Sequence, residues 1–158
     1  MTARPRVSIL YGSESDRGTL EETARVLERF GVAHEMEAAS AHRTPEKVRD
    51  HVRSASARGV SDFIAAAGMA NHLAGAVAAH TTLPVIGVPL AGSPLSGFDA
   101  LLSTVQMPAG VPVATVAIGS AGAKNAAVLA VQILALADPA LRLKLDDFKE
   151  GLARGEKL

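Results

Sequence analysis

The sequence lacks cysteine and tryptophan altogether and has only one tyrosine and four phenylalanines. Without cysteine there can be no disulfide, no thiolate nucleophile and no zinc site built on thiolates. Aromatic residues make up 3% of the chain, too few for the stacking platforms that hold single-stranded nucleic acids. An excess of positive charge is also lacking, because 16 lysines and arginines are balanced by 16 aspartates and glutamates. We therefore expect no nucleic-acid partner.

A long uninterrupted apolar run is missing as well. The longest candidate, residues 121–137, contains Lys124, Asn125 and Gln132, and these polar side chains make it unsuited to span a membrane. Residues 1–6 are polar and show no signal-peptide pattern. The sequence thus predicts a cytoplasmic protein with no membrane partner.

The chain does contain enough apolar material for one ordinary domain. Its 158 residues are 48% apolar and 20% charged, close to the average of globular proteins. A chain of this length buries roughly two-thirds of the surface that its unfolded form exposes, so its core needs no metal or disulfide. The sequence has no linker or internal repeat, and we expect a single domain over residues 1–158.

Five short apolar runs predict β-strands at residues 6–11, 33–39, 62–67, 84–89 and 113–118. Several of them are apolar at consecutive positions, which is typical of strands buried on both faces of a parallel sheet. The runs begin 27, 29, 22 and 29 residues apart, close to the roughly 30 residues of one strand–helix–strand unit. The pattern predicts an α/β fold: one doubly wound, three-layer domain with a five-stranded parallel sheet.

Helical patterns fill the segments between the strands. An apolar stripe with helical spacing runs through residues 20–27, and Gly31 follows it as a stop signal. Residues 44–46 (TPE) supply a hydroxyl cap, a proline at the first helical position and an acid in the first turn. That second helix is expected to end at Gly59.

Two helices are predicted in the last third of the chain. Residues 121–137 are apolar on nearly every face, so this helix is either central or packed against another subunit. A final amphipathic helix, at about residues 139–154, carries its apolar stripe on Leu141, Leu145, Phe148 and Leu152. We expect this last helix to pack on a neighbouring subunit.

Ligands of open parallel sheets bind at the carboxyl ends of the strands, where the strand order reverses. The polar residues that follow each strand are therefore the first candidates for a site. After the first strand, residues 12–16 (GSESD) place a glycine and two hydroxyls before a helix, which suits a phosphate group. The same residues also suit an ordinary helix cap, so this segment alone leaves both interpretations open.

The second and third strands are followed by histidines. In residues 40–45 (SAHRTP), His42 suits proton transfer near neutral pH, and the planar guanidinium of Arg43 matches phosphate oxygens. Residues 67–75 (AGMANHLAG) are small and glycine-rich and would allow close approach of the backbone. Here His72 is either a second proton carrier or a hydrogen-bonded structural histidine.

The segment after the fourth strand is too long for a simple connection, which favours a functional role for residues 95–99 (LSGFD) and 106–108 (QMP). The other histidines, His34, His51 and His80, lie at less informative positions, and we expect structural roles for them. No carboxylate pair, HExxH motif or Ser-His-Asp order stands out, which counts against hydrolases and metal enzymes.

The order of several segments resembles that of a known family: GSESD, SAHRTPEK, HLAG, LPVIGVP, LSGFDALLSTVQMPAGVPVATVAIG and AGAKNAAVLA. These segments are similar to those of the bacterial N5-carboxyaminoimidazole ribonucleotide mutases, in the AIR carboxylase superfamily. The likeness runs from about residue 7 to the last helix, and SAHRTP and VQMPxGxPV are its most specific motifs. It implies flavodoxin-like subunits in a homo-octamer and no cofactor or metal. It also implies an isomerase of purine biosynthesis that moves a carboxyl group from an exocyclic nitrogen to C4, on the way to IMP.

The resemblance also implies roles for individual residues. The phosphate of the ribonucleotide would be held by Ser13, Ser15, Ser40 and Arg43. Asp16 would hold the hydroxyls of the ribose.

The carboxyl group would move within a pocket formed after the second and third strands. His42 would be the essential acid and base, since one imidazole can give a proton in one step and take one in the next. The resemblance implies that His72, Gly68 and Leu73 line this pocket. The family commonly has AGGAAHLPG where this chain has AGMANHLAG, so Met69 and Asn71 are unusual beside it, as is Ala74.

Two alternatives remain open from the sequence. The first is an aminoimidazole ribonucleotide carboxylase of the same superfamily, which uses free carbon dioxide and typically carries Arg-Ser-Asn after the third strand. This chain has Asn71 but keeps His72 and residues 106–108, which favours the mutase. The second is a non-catalytic nucleotide-binding or flavin-binding module, which the scarcity of aromatic residues disfavours.

Overall fold

The computed structural model of the protein describes residues 6–158, which form one sheet with helices on both of its faces. The strands are β1 (Val7–Tyr11), β2 (His34–Ala38), β3 (Asp62–Gly68), β4 (Val85–Leu90) and β5 (Ala114–Thr115). The helices are α1 (Arg17–Phe30), α2 (Pro45–Arg58), α3 (Leu73–Ala78), α4 (Phe98–Val105), α5 (Ser120–Ala135) and α6 (Pro139–Ala153). Residues 1–5, part of the expected domain and of the expected polar N-terminus, lie outside the described residues.

All five strands are parallel, in the order β2-β1-β3-β4-β5, which confirms the predicted α/β fold. The order reverses at β1, which pairs with β2 on one side and with β3 on the other. The first four strands begin and end within one residue of the predicted runs. The predicted fifth strand is too long, because beyond Thr115 this edge segment bonds to β4 only at Val116 and Gly119.

Side chains that alternate along the strands form two separate cores. Val7, Ile9 and Tyr11 of β1 face α1, α5 and α6, whereas Leu10 faces the side covered by α2 and α3. As predicted, α1 and α2 are followed by Gly31 and Gly59, both in the left-handed conformation that glycine favours. The result is the expected three-layer arrangement.

Helix α5 is the central helix of its layer. Its buried alanines, which include Ala123, Ala126 and Ala130, pack in the core that α1, α6 and the sheet share. Of the two alternatives that the sequence left open, the structure therefore selects the central position. The chain itself covers most of the apolar surface of α5, which does not by itself call for a second subunit.

Helix α6 packs its apolar stripe against its own chain. Leu141, Leu145 and Phe148 are buried, and the Phe148 ring meets Phe30 of α1 edge to face, with 5.4 Å between ring centroids. Lys144 Nζ also donates a hydrogen bond to the carbonyl oxygen of Phe30 at 2.6 Å. Contact between α6 and a neighbouring subunit stays a prediction. Within residues 6–158, no helix is both long enough and apolar enough to cross a membrane.

Helix α4 was not predicted, and it occupies the segment that the sequence indicated to be a long loop. Its apolar residues Phe98, Leu102 and Val105 have helical spacing, but they are 64%, 59% and 50% exposed. The face that packs on the sheet carries the small residue Ala100 and the buried polar residue Thr104. In α4 the exposed face is therefore more apolar than the face that packs on the sheet, which is the reverse of the usual amphipathic pattern.

The amino end of the sheet holds a buried carboxyl group. Asp62, the first residue of β3, is fully buried, and neither of its carboxylate oxygens has a hydrogen-bond partner among the described residues. Burial raises its pKa to about 7, and the positive charge of Arg6 opposes this shift only in part. The Arg6 guanidinium itself is paired with Asp138, at 2.8 Å.

A second polar cluster lies between α2 and the sheet. His51 Nε2 lies 2.8 Å from Ser8 Oγ and 3.1 Å from Glu35 Oε1. Arg58 donates from Nη2 to the same Glu35 oxygen at 2.8 Å. The Ser8 side chain is fully buried, and that of His51 is 15% exposed. This arrangement supports the structural role that was expected of His51.

Candidate active site

A cleft of about 540 Å³ opens at the carboxyl ends of β1, β2 and β3. This is the position that the reversal of strand order predicts for a ligand. All nine residues that the sequence analysis proposed for the site line the cleft: Ser13, Ser15, Asp16, Ser40, His42, Arg43, Gly68, His72 and Leu73.

The loop after β1 contributes a pair of hydroxyl groups. Ser13 caps the 3-10 turn Glu14–Asp16, and Ser15 Oγ donates to Ser13 Oγ at 3.0 Å. The backbone N–H of Ser15 also points at Ser13 Oγ, at 3.4 Å. The structure therefore shows the helix cap that the sequence allowed, and the same hydroxyls remain in the wall of the cleft.

The loop after β2 brings a guanidinium to those hydroxyls. Arg43 Nη2 donates to the carbonyl oxygen of Gly12 at 3.3 Å, which draws the side chain across to the β1 loop. Ser40 Oγ accepts a hydrogen bond from the backbone N–H of Arg43 at 3.1 Å. Thr44 Oγ1 donates to the carbonyl oxygen of Ser40 at 3.1 Å and closes the turn. Three hydroxyls and one guanidinium thus meet at one end of the cleft, a combination suited to bind phosphate.

Asp16 lies beside this polar end of the cleft. Burial raises the pKa of its carboxyl group, while a backbone hydrogen bond at Ser13 acts in the opposite direction. A carboxylate in this position can accept hydrogen bonds from hydroxyl groups of a ligand.

Two histidines meet at the other part of the cleft. His42 Nε2 lies 3.3 Å from His72 Nδ1, and the ring centroids are 5.1 Å apart. Only one of these two nitrogens can carry the proton of that hydrogen bond, so the other must accept it. Sequence spacing could not show this pairing, because the residues are 30 positions apart and follow different strands.

The end of β3, the loop after it and the first residue of α3 form the floor and the rim of the cleft. A Cβ atom at Gly68 would lie 3.3 Å from the carbonyl oxygen of Leu90, so the backbone passes closer to β4 than a larger residue would comfortably allow. Leu73 is 1% exposed and forms the apolar base. Met69 has a left-handed backbone, with φ of 54°, and its side chain at the rim is 62% exposed.

The cleft is also lined by small residues that were not among the proposed site residues. Residues 95–99 and 106–108, which flank α4 and include its start, do not line the cleft of a single chain, and a functional role for them stays a prediction. Of the segment after β4 only Gly92 lines the cleft, which is also lined by Ala41 and Ala70. These small residues have no functional group that a sequence pattern could have indicated.

The chemistry available in the cleft is anion binding and proton transfer. Among residues 6–158, no group of three or more His, Asp or Glu side chains is arranged to hold a metal ion. The imidazole pair is the only pair of proton-transfer groups within hydrogen-bonding distance among the residues that line the cleft. The arrangement suits a phosphorylated ligand whose reacting end meets His42 and His72.

Comparisons with known proteins agree with this geometry. Residues 6–154 match the family described as AIR carboxylase. The N5-carboxyaminoimidazole ribonucleotide mutase of Pyrococcus abyssi is 51% identical over 150 residues, which cover 95% of this chain and 85% of that protein. The mutase of Escherichia coli K12 is 50% identical over 145 residues, which cover 92% and 86%.

The fold has a counterpart among solved structures. The crystal structure of Treponema denticola PurE superposes with a TM-score of 0.87 at 33% identity, covering 96% of this chain and 94% of that one. Over the aligned residues, the chain is thus identical to these mutases at about half of the positions and to this PurE at a third.

Proposed function

The chain belongs to the AIR carboxylase family and has the isomerase activity of its N5-carboxyaminoimidazole ribonucleotide mutases, and we propose that His42 carries out the proton transfers of this reaction in purine biosynthesis. The observation that carries the proposal is the contact between His42 Nε2 and His72 Nδ1, 3.3 Å apart in the same cleft as the hydroxyl and guanidinium groups.

The polar end of the cleft anchors the substrate by its phosphate. Ser13, Ser15 and Ser40 offer hydroxyl donors, and Arg43 offers a charged fork that matches two phosphate oxygens. Asp16 accepts hydrogen bonds from the ribose hydroxyls. The positions of these groups in the cleft support this orientation of the substrate, because they leave the base and its carboxyl group to extend toward the histidines.

The reaction needs one proton to be given and one to be taken. His42 donates its proton to the exocyclic nitrogen as the bond between that nitrogen and the carboxyl carbon breaks, which releases carbon dioxide. C4 of the electron-rich ring then forms a bond to the same carbon dioxide, and the neutral imidazole removes the C4 proton. The proton returns to His42, and the reaction consumes none.

His72 assists as the partner of that imidazole. Through its Nδ1 it holds the His42 ring and shares a proton with it, so the ring is in place for both transfers. Gly68 and Leu73, with the small residues around them, form a wall that keeps carbon dioxide close to C4. Recapture inside this space avoids the entropic cost of a second encounter.

The recapture of carbon dioxide within the cleft is tested by supplying N5-carboxyaminoimidazole ribonucleotide in buffer that contains isotope-labelled bicarbonate. We expect conversion to the 4-carboxy isomer with little label in the product. If most of the product is labelled in the first turnover, or if only aminoimidazole ribonucleotide and bicarbonate are used, the carboxylase assignment replaces the mutase.

For the assembly we propose a homo-octamer that works in the cytoplasm. Support comes from the exposed apolar face of α4, since Phe98, Leu102 and Val105 form a contiguous stripe that a second copy of the chain would cover. Light scattering at micromolar concentration should give a particle of eight times the 16.2 kDa chain mass. Leu102→Asp should reduce the particle mass, whereas Ala57→Asp, at an exposed alanine of α2, should not. A monomeric wild type would contradict the octamer.

A further inference from the structure

The turn that carries His72 is fastened to the rest of the domain by one buried amide. Asn71 is 1% exposed and lies directly before His72. Its Nδ2 donates to Thr104 Oγ1 of α4 at 2.9 Å and reaches the carbonyl oxygen of Val88 on β4 at 3.4 Å. The side chain thus links the turn after β3 to two other elements.

The partner on α4 is itself fixed. Thr104 is 1% exposed, and its hydroxyl donates to the carbonyl oxygen of Ala100 at 2.6 Å, which leaves its lone pairs free to accept from Asn71. The threonine also packs tightly on the sheet, because a Cβ atom at Gly87 of β4 would collide with Thr104 Cγ2. The amide of Asn71 is therefore attached to an anchor that cannot shift without moving α4.

The arrangement is costly in one respect. Asn71 Oδ1 is buried and has no hydrogen-bond partner among the described residues. A buried acceptor without a partner destabilises a fold, so an apolar residue would suit this position better if packing were its only purpose. The position of the donor, rather than the stability of the core, accounts for an asparagine here.

Apart from those of the Asn71 and His72 side chains, the hydrogen bonds of residues 69–72 are short-range, and the carbonyl oxygen of His72 accepts one from the N–H of Ala76 in α3 at 2.9 Å. Within the turn, the N–H of Asn71 bonds to the carbonyl oxygen of Met69 at 3.0 Å, and that of His72 bonds to Ala70 at 2.7 Å. These are local bonds inside the turn, and the backbone of Met69 is in the left-handed region. Without the Asn71 amide, residues 69–71 would be held only by these local bonds, and the backbone before His72 could tilt and turn the imidazole ring away from His42.

We propose that Asn71 is a positioning residue of the mutase: its hydrogen bond to Thr104 fixes the turn after β3, so that the His72 ring stays within hydrogen-bonding distance of His42. The inference rests on the proposed function for its kinetic consequence. Its structural part, the distance between the two imidazoles, can be tested without substrate.

The test compares variants on both sides of the hydrogen bond. Asn71→Ala removes the donor, Thr104→Val removes the acceptor while keeping a branched side chain, and Thr104→Ser keeps the hydroxyl as the matched control. We expect the first two to lower kcat by roughly 10- to 100-fold with little change in KM, since small displacements of a catalytic group have effects of this size. Thr104→Ser should behave like the wild type, and the double variant should be no slower than either single one.

A second measurement excludes a merely structural role. The pH profile of kcat and the NMR titration of the imidazole nitrogens should change in Asn71→Ala and Thr104→Val but not in Thr104→Ser. The decisive values are kcat of Asn71→Ala and Thr104→Val, measured well below the melting temperature, its pH profile and the NMR titration. If all of these equal the wild-type values, the proposal is overturned even if the melting temperature falls. Should Asn71→Ala not fold, the two Thr104 variants decide the question. An inactive wild type would refute the proposed function instead, while the NMR titration would still test the positioning.

Discussion

The two histidine clusters of this protein differ in what they contain and in what they can reach. The cluster at His51 has a serine and a glutamate, the residue types of a hydrolytic triad, yet both contact the same ring nitrogen, so no proton can pass through the ring between them. None of its members lines the cleft. The pair formed by His42 and His72 has no carboxylate partner within residues 6–158 but lies where a ligand can enter. Access and the atoms that meet, rather than residue types alone, separate a site from a structural network.

The largest expected difference between the clusters concerns turnover. His42→Asn should keep the fold and the binding of substrate but lower turnover by roughly 10²–10⁴-fold or more, because one group serves as acid and as base. Steady-state kinetics together with a binding titration would measure this. His51→Asn is the matched control and should retain the wild-type rate. Turnover of the His42 variant within a few-fold of the wild type would remove this residue from the mechanism.

The second difference concerns stability, and here the His51 variant rather than the His42 variant should show the larger effect. His51→Asn should lower the free energy of unfolding by about 1–3 kcal/mol, because it leaves the buried Ser8 hydroxyl without a well-placed partner and removes one of the contacts of Glu35. Unfolding in urea, followed by circular dichroism, would show this. If His42→Asn were the more destabilising of the two, the division of roles proposed here would be wrong.

Each histidine cluster has an arginine beside it, and substitution of the two arginines should likewise affect substrate binding in one case and stability in the other. Arg43→Ala should weaken substrate binding by at least about 1 kcal/mol, because charge-assisted hydrogen bonds to phosphate are lost. Arg58→Ala, which removes the partner of Glu35, should leave affinity unchanged and lower stability. Isothermal titration would compare the affinities. Equal affinity of the Arg43 variant and the wild type would show that the phosphate lies elsewhere.

The backbone beside the exposed pair is strained, and relieving the strain should have a smaller effect. Met69→Gly should raise the free energy of unfolding by up to about 1 kcal/mol, because glycine adopts a positive φ without steric cost. Gly110→Ala is the control with the opposite sign, since Gly110 has a φ of 93° and open space around its Cβ position. A Met69→Gly variant that is clearly less stable would mean that the methionine side chain stabilises the rim by packing.

The smallest expected effect is a pH dependence of stability that arises from the buried His51 cluster. Burial and the charge of Arg58 hold the pKa of His51 below its ordinary value, although Glu35 opposes them. The unfolded chain therefore binds a proton more readily near pH 6.5, and stability from this cluster is present above that pH and lost as the pH falls toward the lower folded pKa. Between pH 7.5 and about 5.5 the wild type should lose part of its stability advantage over His51→Asn, as urea unfolding at several pH values would show. A constant difference would contradict the prediction.

Much of the fold could be predicted because local and global signals agreed. The buried strands are continuous apolar runs, and Gly31 and Gly59 end their helices as expected. The prediction was wrong for the segment that forms α4, because the sequence does not show which of its side chains are exposed. Helix α4 has an apolar stripe that faces outward, so it resembled neither a loop nor an ordinary amphipathic helix. Strand β5 is shorter than predicted because only Ala114 and Thr115 pair with β4, and the apolar run itself does not show where this pairing stops.

The site was predictable to the extent that its residues follow strands. Ser13, Arg43 and His42 could be placed together because parallel strands end at the same edge of the sheet. The resemblance supplied their expected roles, and these remain proposals. The link between Asn71 and Thr104 could not be foreseen, since it depends on how a helix absent from the prediction packs on β4.

The buried carboxyl of Asp62 affects a property of the whole molecule, its isoelectric point. The formal net charge of zero counts this side chain as fully ionised, but a group whose pKa is about 7 is partly protonated at neutral pH. At that carboxyl the folded protein therefore carries less negative charge than its unfolded chain, where the same group titrates near 4. Native isoelectric focusing of the wild type and of Asp62→Asn should accordingly give bands closer together than the loss of a full charge would produce, and under denaturing conditions the two bands should move apart.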